Sequence, residues 1–225
     1  ITAAAQFGAR GFGVDIDAKL VQEANDNARK AGVADRVRFE QRDVFQTDIR
    51  EASVVTLYLL TGLVNRLQPK LMNELRPGAR IIAHDFGFKD WTPDRSVNIS
   101  KNYYLYIVPA KVGGNWKLEA TIGDTQQTYE IDIQQDHQKI RGGARTETGA
   151  GFLPLFEARL EGDRIGFVLV DAGRAHHFDG RVHASYMEGT VTSGIGKGTV
   201  QRSWRAERVL GRLNLPGLEP LKERA

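Results

Sequence analysis

Two rhythms of apolar and polar positions divide the chain. In the first, short apolar runs alternate with stretches of helical spacing. Residues 1–8 (ITAAAQFG) read as the last turns of a helix closed by a glycine. Residues 11–14 form a short apolar strand that ends on Asp15. Leu20, Val21, Ala24, Ala28 and Ala31 then recur at helical spacing and predict a helix over 18–32, with Asp17 as its N-cap and Gly32 as its end. Residues 37–40 alternate as a strand. Residues 54–60 (VVTLYLL) are a continuous β-branched and apolar run, which suits a parallel strand buried on both faces. A helix over 64–75 follows, disturbed or split by Pro69, then a turn at Arg76-Pro77-Gly78 and a strand over 79–84. A strand over 102–108 finishes this part. Strand, helix, strand in this order predict an α/β fold with a doubly wound parallel sheet, and ligands bind beyond the carboxyl ends of such strands.

From Trp116 the rhythm changes to short alternating segments: 116–122, 129–135, 139–144, 155–160, 164–170, 178–184, 187–191 and 200–208. Turn residues separate them, among them Gly123-Asp124 and Gly162-Asp163. About eight strands in a meander predict a small antiparallel all-β barrel or sandwich, and the pattern resembles lipocalin-like barrels. Gly180 and Gly189 suit barrel corners. Phe178-Asp-Gly-Arg-Val182 and Met187-Glu-Gly-Thr-Val191 echo each other and predict paired hairpin strands. The expected organisation is therefore residues 1–110, residues 111–210, and a C-terminal tail over 211–225, extended or partly disordered, with Pro216 and Pro220.

Composition narrows the function classes. Among 225 residues there is no cysteine, which excludes a disulfide scaffold, a thiolate metal site and a cysteine nucleophile. The apolar runs fall well short of a membrane span. The net charge is only +3, and residues 201–225, with six basic residues against three acids, carry all of it. No clustered basic stripe points to nucleic acid. A cytoplasmic setting is the default expectation, and oligomeric state is not set. A chain that opens in mid-helix is expected to continue upstream, where any targeting segment would also lie.

The residues at the carboxyl ends of the predicted strands carry the candidate chemistry: Asp15, Asp43, Tyr58 to Thr61, and His84 to Phe86. A carboxylate accepts hydrogen bonds from both hydroxyls of a cis-diol, so Asp15 suits an adenosyl ribose. Asp43 is either a turn acid or an acceptor for an exocyclic amine. No metal site is expected. His177, Asp179, Arg181 and His183 share one strand face, but His177 and His183 would stand roughly 20 Å apart at about 3.3 Å per residue. Gly194 to Gly198 reads as a hairpin loop, not a phosphate loop, since no helix follows.

Taken together, GVDID, RDVF, VVTLYLL and LRPGARIIAHDF resemble the class I, seven-strand S-adenosylmethionine-dependent methyltransferases, with a Rossmann-like sheet. The segment YLLTGLVNRLQPKLMNELRPGARIIAHDFGFKDWTPD is similar to a narrower group that includes the lysine methyltransferase of the ATP synthase c-subunit and its bacterial relatives. The resemblance covers residues 1–110. It implies S-adenosylmethionine as cofactor, a glycine-rich loop ahead of Ile1, Asp15 with neighbouring Ile16 at the ribose, Asp43 at the adenine amine and the Val44 amide at the ring. It places Tyr58, Asp85 and Trp91 at the methyl acceptor. Tyr58 lines that pocket or is a core tyrosine. Asp85, with His84, orients the acceptor or forms a strand-end pair. Trp91 walls the channel or packs the Phe86–Phe88 loop.

The implied reaction is an in-line displacement at a sulfonium methyl, transferring it to an acceptor that the resemblance makes a protein lysine. Positioning and water exclusion are the protein's main contributions. An apolar channel of Leu59, Leu60, Phe86 and Trp91 would lower the amine pKa. The alternative is a ligand-binding or docking barrel attached to a degenerate methyltransferase half.

Overall fold

The computed structural model describes residues 1–146, 151–194 and 198–209. Helix α1 (Thr2–Phe7) ends as its sequence requires: Gly8 takes a left-handed φ of 67° and returns its N–H to Ala4. Strand β1 (Gly11–Asp15) runs into α2 (Ala18–Lys30) and then β2 (Val37–Gln41), which pairs parallel with β1. Asp17 caps α2 by accepting from the Lys19 N–H at 2.8 Å. Ala4, Ala28 and Val33 form the small core of this unit.

A second sheet follows. Strand β3 (Val54–Leu57), helix α3 (Thr61–Glu74), β4 (Arg80–His84), β5 (Arg95–Ile99) and β6 (Lys101–Ile107) assemble in the order β3-β4-β6-β5. Only β3 and β4 are parallel; β6 runs against both β4 and β5. Helix α3 passes Pro69 unbroken. An interior proline costs ~3 kcal/mol. Val64, Leu67 and Leu71 are each almost fully buried against the sheet. At roughly 1.5–3 kcal/mol per buried side chain, they outweigh that cost.

The expected single parallel sheet is thus divided. Strands β1 and β2 form a two-stranded sheet of their own, and β3 is the edge of the four-stranded one. Strand β5 was not expected: all five of its residues are exposed, and its only apolar alternation is the brief Val97 and Ile99.

The remaining strands form one antiparallel sheet of barrel-like curvature. They are β7 (Gly114–Ile122), β8 (Thr125–Asp136), β9 (Lys139–Thr146), β10 (Leu153–Pro154), β11 (Phe156–Glu161), β12 (Arg164–Asp171), β13 (Arg174–Val182), β14 (Tyr186–Ser193) and β15 (Val200–Arg208). Their order is β10-β9-β8-β7-β15-β14-β13-β12-β11, and contacts of β11 with β9 and of β10 with β12 nearly close it. The expected strand over 178–184 begins earlier, at Arg174. The interior is filled by large side chains, among them Trp116, Tyr129, Phe167, Phe178, Met187 and Trp204. The expected hairpin loop over 194–198 and the expected tail over 211–225 lie wholly or partly outside the described residues.

The β8–β9 turn joins the two parts. His137 and Gln138, at its tip, reach α3 and the segment after β4. Gln68 Nε2 lies 2.9 Å from His137 Nε2, and the Trp91 indole N–H donates to Gln138 Oε1 at 2.9 Å. Gln138 Nε2 donates to the Thr92 carbonyl at 2.8 Å, and Lys139 Nζ to Thr92 Oγ1 at 3.1 Å.

Candidate functional site

Parallel pairing of β1 with β2 sets Asp15 opposite Gln41. The Asp15 carbonyl accepts from the Arg42 N–H at 2.9 Å, and the Ile16 carbonyl accepts from Gln41 Nε2 at 3.1 Å. These bonds hold Asp15 and Asp43 at neighbouring strand ends. Each acid also shapes its own turn. Asp15 Oδ1 accepts from the Asp17 N–H at 2.9 Å. Asp43 Oδ1 accepts from the Phe45 N–H at 2.8 Å and caps the single 3-10 turn Val44–Gln46. The turn-acid reading of Asp43 therefore holds for one oxygen; a carboxylate has further acceptor capacity on the other. Ile16, at 76% exposure, stands beside them as an uncovered apolar side chain. Val44 is half-buried behind. A recess of about 310 Å³ lined by Gly13, Val14, Asp15, Leu20, Val21, Ala24 and Phe39 adjoins the strand end. A Cβ at Gly13 would stand 2.6 Å from the Phe39 ring, so only glycine lets that ring close on β1.

A second group of residues lies at the carboxyl ends of β3 and β4. The β4–β6 register sets His84 opposite Tyr103, and β5 sets Val97 opposite Tyr103. Tyr58, just past β3, comes from the other side. The His84 ring lies 4.6 Å from the Tyr58 ring and 4.8 Å from the Tyr103 ring, centroid to centroid. Three strands thus contribute one row of aromatic rings. Tyr58 is 70% exposed, which removes the core-tyrosine reading.

Asp85 follows directly, with a left-handed φ of 61°. That conformation is uncommon outside glycine and places Asp85 where backbone strain is held by its surroundings. The surroundings are visible: the Asp85 N–H donates to the Asn102 carbonyl at 2.8 Å, and Lys101 Nζ donates to Asp85 Oδ2 at 2.9 Å. The Lys101 hydrogen bond is the main cause holding the Asp85 carboxyl below its ordinary range, with the Asn102 N–H assisting; reciprocally, Asp85 raises Lys101. His84 Nε2 lies 3.9 Å from Asp85 Oδ2 and has no hydrogen-bond partner. His84 and Asp85 therefore form a strand-end pair, yet one whose carboxylate is engaged by a lysine.

Trp91 is placed differently from the acceptor wall the sequence allowed. It is 1% exposed, its N–H is taken by Gln138, and its ring packs on Phe88, Tyr106 and His137. Both its faces are covered, so it packs the loop after β4 and receives the barrel turn. Tyr103 and Lys101 are the residues that sequence reasoning missed. Their signal was the register of the 102–108 strand against β4, which no local pattern states.

Residues 1–95 match the family described as the ANTKMT methyltransferase domain. A protein-lysine N-methyltransferase of Saccharolobus islandicus is 38% identical over 114 residues, covering 48% of this chain and 71% of that protein. The chain belongs to this methyltransferase family. The ATP synthase c-subunit lysine N-methyltransferase of Mus musculus is 32% identical over 96 residues, or 43% of this chain and 39% of that protein. A solved RNA methyltransferase of Salinibacter ruber, in complex with S-adenosyl-L-homocysteine, is 46% identical, with 49% of this chain and 72% of that chain covered and a TM-score of 0.48. The chain spans less than half the length of its mouse relative. The family match ends at residue 95, ahead of β7 at Gly114. The α/β half is thus a methyltransferase domain, of an enzyme class that draws its methyl group from S-adenosylmethionine.

Proposed function

We propose that the chain is part of an enzyme that transfers a methyl group from S-adenosylmethionine to a lysine amine of a protein acceptor. The observation that carries the cofactor half is the lateral placement of Asp15 and Asp43 at adjacent parallel strand ends, beside an exposed Ile16. These residues fit the group: Asp15 would accept from the ribose hydroxyls, Asp43 from the adenine amine, Ile16 would cover an adenosyl face, and the Val44 N–H would donate to the ring. The group supplies an electrophilic methyl on a sulfonium. The chain's residues bind, orient and exclude water around it.

The pairs β1–β2 and β3–β4 fit as parts of one doubly wound Rossmann-like sheet, each having a strand with a free edge. In that arrangement Tyr58 and Asp85 face the acceptor. A lysine acceptor is supported by the named functions of the archaeal and mammalian relatives. The filled barrel interior favours a docking or bracing role for the second part over capture of a small apolar ligand.

Calorimetric titration of the full-length protein, with the expected segment ahead of Ile1, against S-adenosylhomocysteine tests the cofactor half. Asp15→Ala should abolish the heat of binding, while His183→Ala, a surface change on the barrel, should leave it intact. Absence of binding by the unaltered protein, or equal loss in both variants, overturns the site. Transfer of labelled methyl to a lysine-containing peptide tests the acceptor; label appearing in RNA and not in the peptide overturns that half.

A further inference from the structure

The Asp85 carboxylate, beside the row Tyr58–His84–Tyr103, already holds an alkylammonium: the side chain of Lys101. We propose that these residues form the acceptor-amine subsite and that Lys101 occupies it as an internal stand-in for the acceptor lysine. This rests on the methyltransferase reading for its role, but the subsite itself rests on the geometry alone.

Three observations converge. First, the ligand chemistry is present. Lys101 Nζ meets Asp85 Oδ2 at 2.9 Å, and Asp85 directly follows His84, whose ring is flanked by those of Tyr58 and Tyr103. Second, the site is built for a charge and an apolar stem together. Asp85 is only 17% exposed at its side chain, whereas Lys101 is 54% exposed, so the carboxylate is fixed and the cation is the exchangeable partner. Exposed apolar residues adjoin it: Phe86 is next in the chain, Ile99 pairs with Lys101 and Val97 with Tyr103. A lysine carries four methylenes that bury along such surface while its head stays polar. Third, the anchor is rigid. Asp85 keeps its left-handed backbone because its N–H is bonded to Asn102, and Asn102 N–H returns to Asp85 Oδ1 at 3.3 Å. None of these bonds needs Lys101.

An exposed ion pair of this kind contributes little stability, so its replacement by another ammonium is not opposed by a large energy. Internal occupancy lowers apparent affinity by the fraction of time the site is free. Lys101 thus sets a threshold: an acceptor lysine must be presented at high local concentration by a docked chain to displace it. Free amines are disfavoured in the same way.

The probe is n-butylammonium, followed by the ring proton resonances of His84, Tyr58 and Tyr103, which requires no cofactor. The unaltered protein should bind it weakly. Lys101→Met, which keeps an apolar stem and removes the charge, should bind it about tenfold more tightly if the site is occupied by Lys101 about nine-tenths of the time. Asp85→Asn should lose it in either background, with the Tyr58 and Tyr103 rings otherwise unmoved. Affinity unchanged or weakened in Lys101→Met overturns the proposal, since it would make Lys101 a brace for Asp85. Butylammonium binding that survives Asp85→Asn overturns the subsite. Because S-adenosylhomocysteine binding is read separately, failure of the cofactor site and failure of this subsite give different results.

Discussion

His176 is the one buried histidine among the described residues of the barrel, and it makes stability depend on pH in a definite direction. It lies on β13 at 4% exposure, with Nδ1 2.8 Å from Ser193 Oγ. Burial is the main cause that lowers its pKa; Arg174 and His177 add to it and Asp171 opposes it. The unfolded chain then takes up a proton near pH 6.5 that the folded chain refuses. Stability is therefore full above that value and falls as pH drops through it toward the folded pKa, by at most about 1.4 kcal/mol per pH unit for one proton. His176→Gln should flatten this slope. Urea midpoints at pH 7.5, 6.5 and 5.5 measure it, and parallel slopes in the two proteins exclude His176 as the cause. The residue was not legible: the sequence reads His176, His177 and His183 alike as surface histidines, and it is the start of β13 at Arg174, four residues ahead of the expected strand, that sets His176 inward and His177 outward. Asp15 and Asp17 were legible, since a strand end and a helix cap are decided within a few residues. Lys101 was not, because its partner Asp85 is brought to it by the β4–β6 pairing across 16 residues.

The strands of the barrel show how much an element owes to single positions. The echoed segments pair as expected, Phe178 with Val191, Gly180 with Gly189, and Val182 with Met187. The two glycines meet because no side chain fits there: a Cβ on Gly189 would stand 2.0 Å from the Asp179 carbonyl and 2.5 Å from the Gly180 Cα, both backbone atoms. Backbone cannot yield as a flexible side chain does. Gly189→Ala should cost more than ~3 kcal/mol, at the severe end for a point change, or leave the barrel unfolded. Gly11→Ala, in β1 with open space around its Cβ, should change stability by less than about 1 kcal/mol. Thermal or urea unfolding of both decides it, and similar values for the two would refute the backbone clash. The meander was readable from alternation because one face of each strand is buried. Strand β5 buries neither face, so its brief Val97–Ile99 alternation marks no core side, and β10, two residues long, is too short to carry a signal. The division of the parallel sheet was equally invisible, since pairing between β1 and β3 is a long-range fact with no local mark.

At the scale of the whole molecule, the barrel is tied to the methyltransferase part by the β8–β9 turn. His137 holds a left-handed φ of 55°, stacks on Trp91 at 5.1 Å and meets Gln68, while Gln138 both accepts from Trp91 and donates to Thr92. Trp91 belongs to the core that also contains Leu57, Val64 and Ala83, so the turn is seated on the same packing that carries Tyr58 and His84 at the strand ends. Unfolding of either part would strip a buried tryptophan of its cover and its hydrogen bond, an outcome costly enough to make the two melt together. His137→Gly with Gln138→Ala removes the stacking and both Gln138 bonds while glycine still permits the left-handed turn. Calorimetry should show one transition in the unaltered protein and two in the double variant, with Trp91 fluorescence following the methyltransferase transition. A single transition at an unchanged temperature in the variant would mean that the parts are coupled elsewhere, at the Ala110–Gly162 and Lys111–Asn73 contacts.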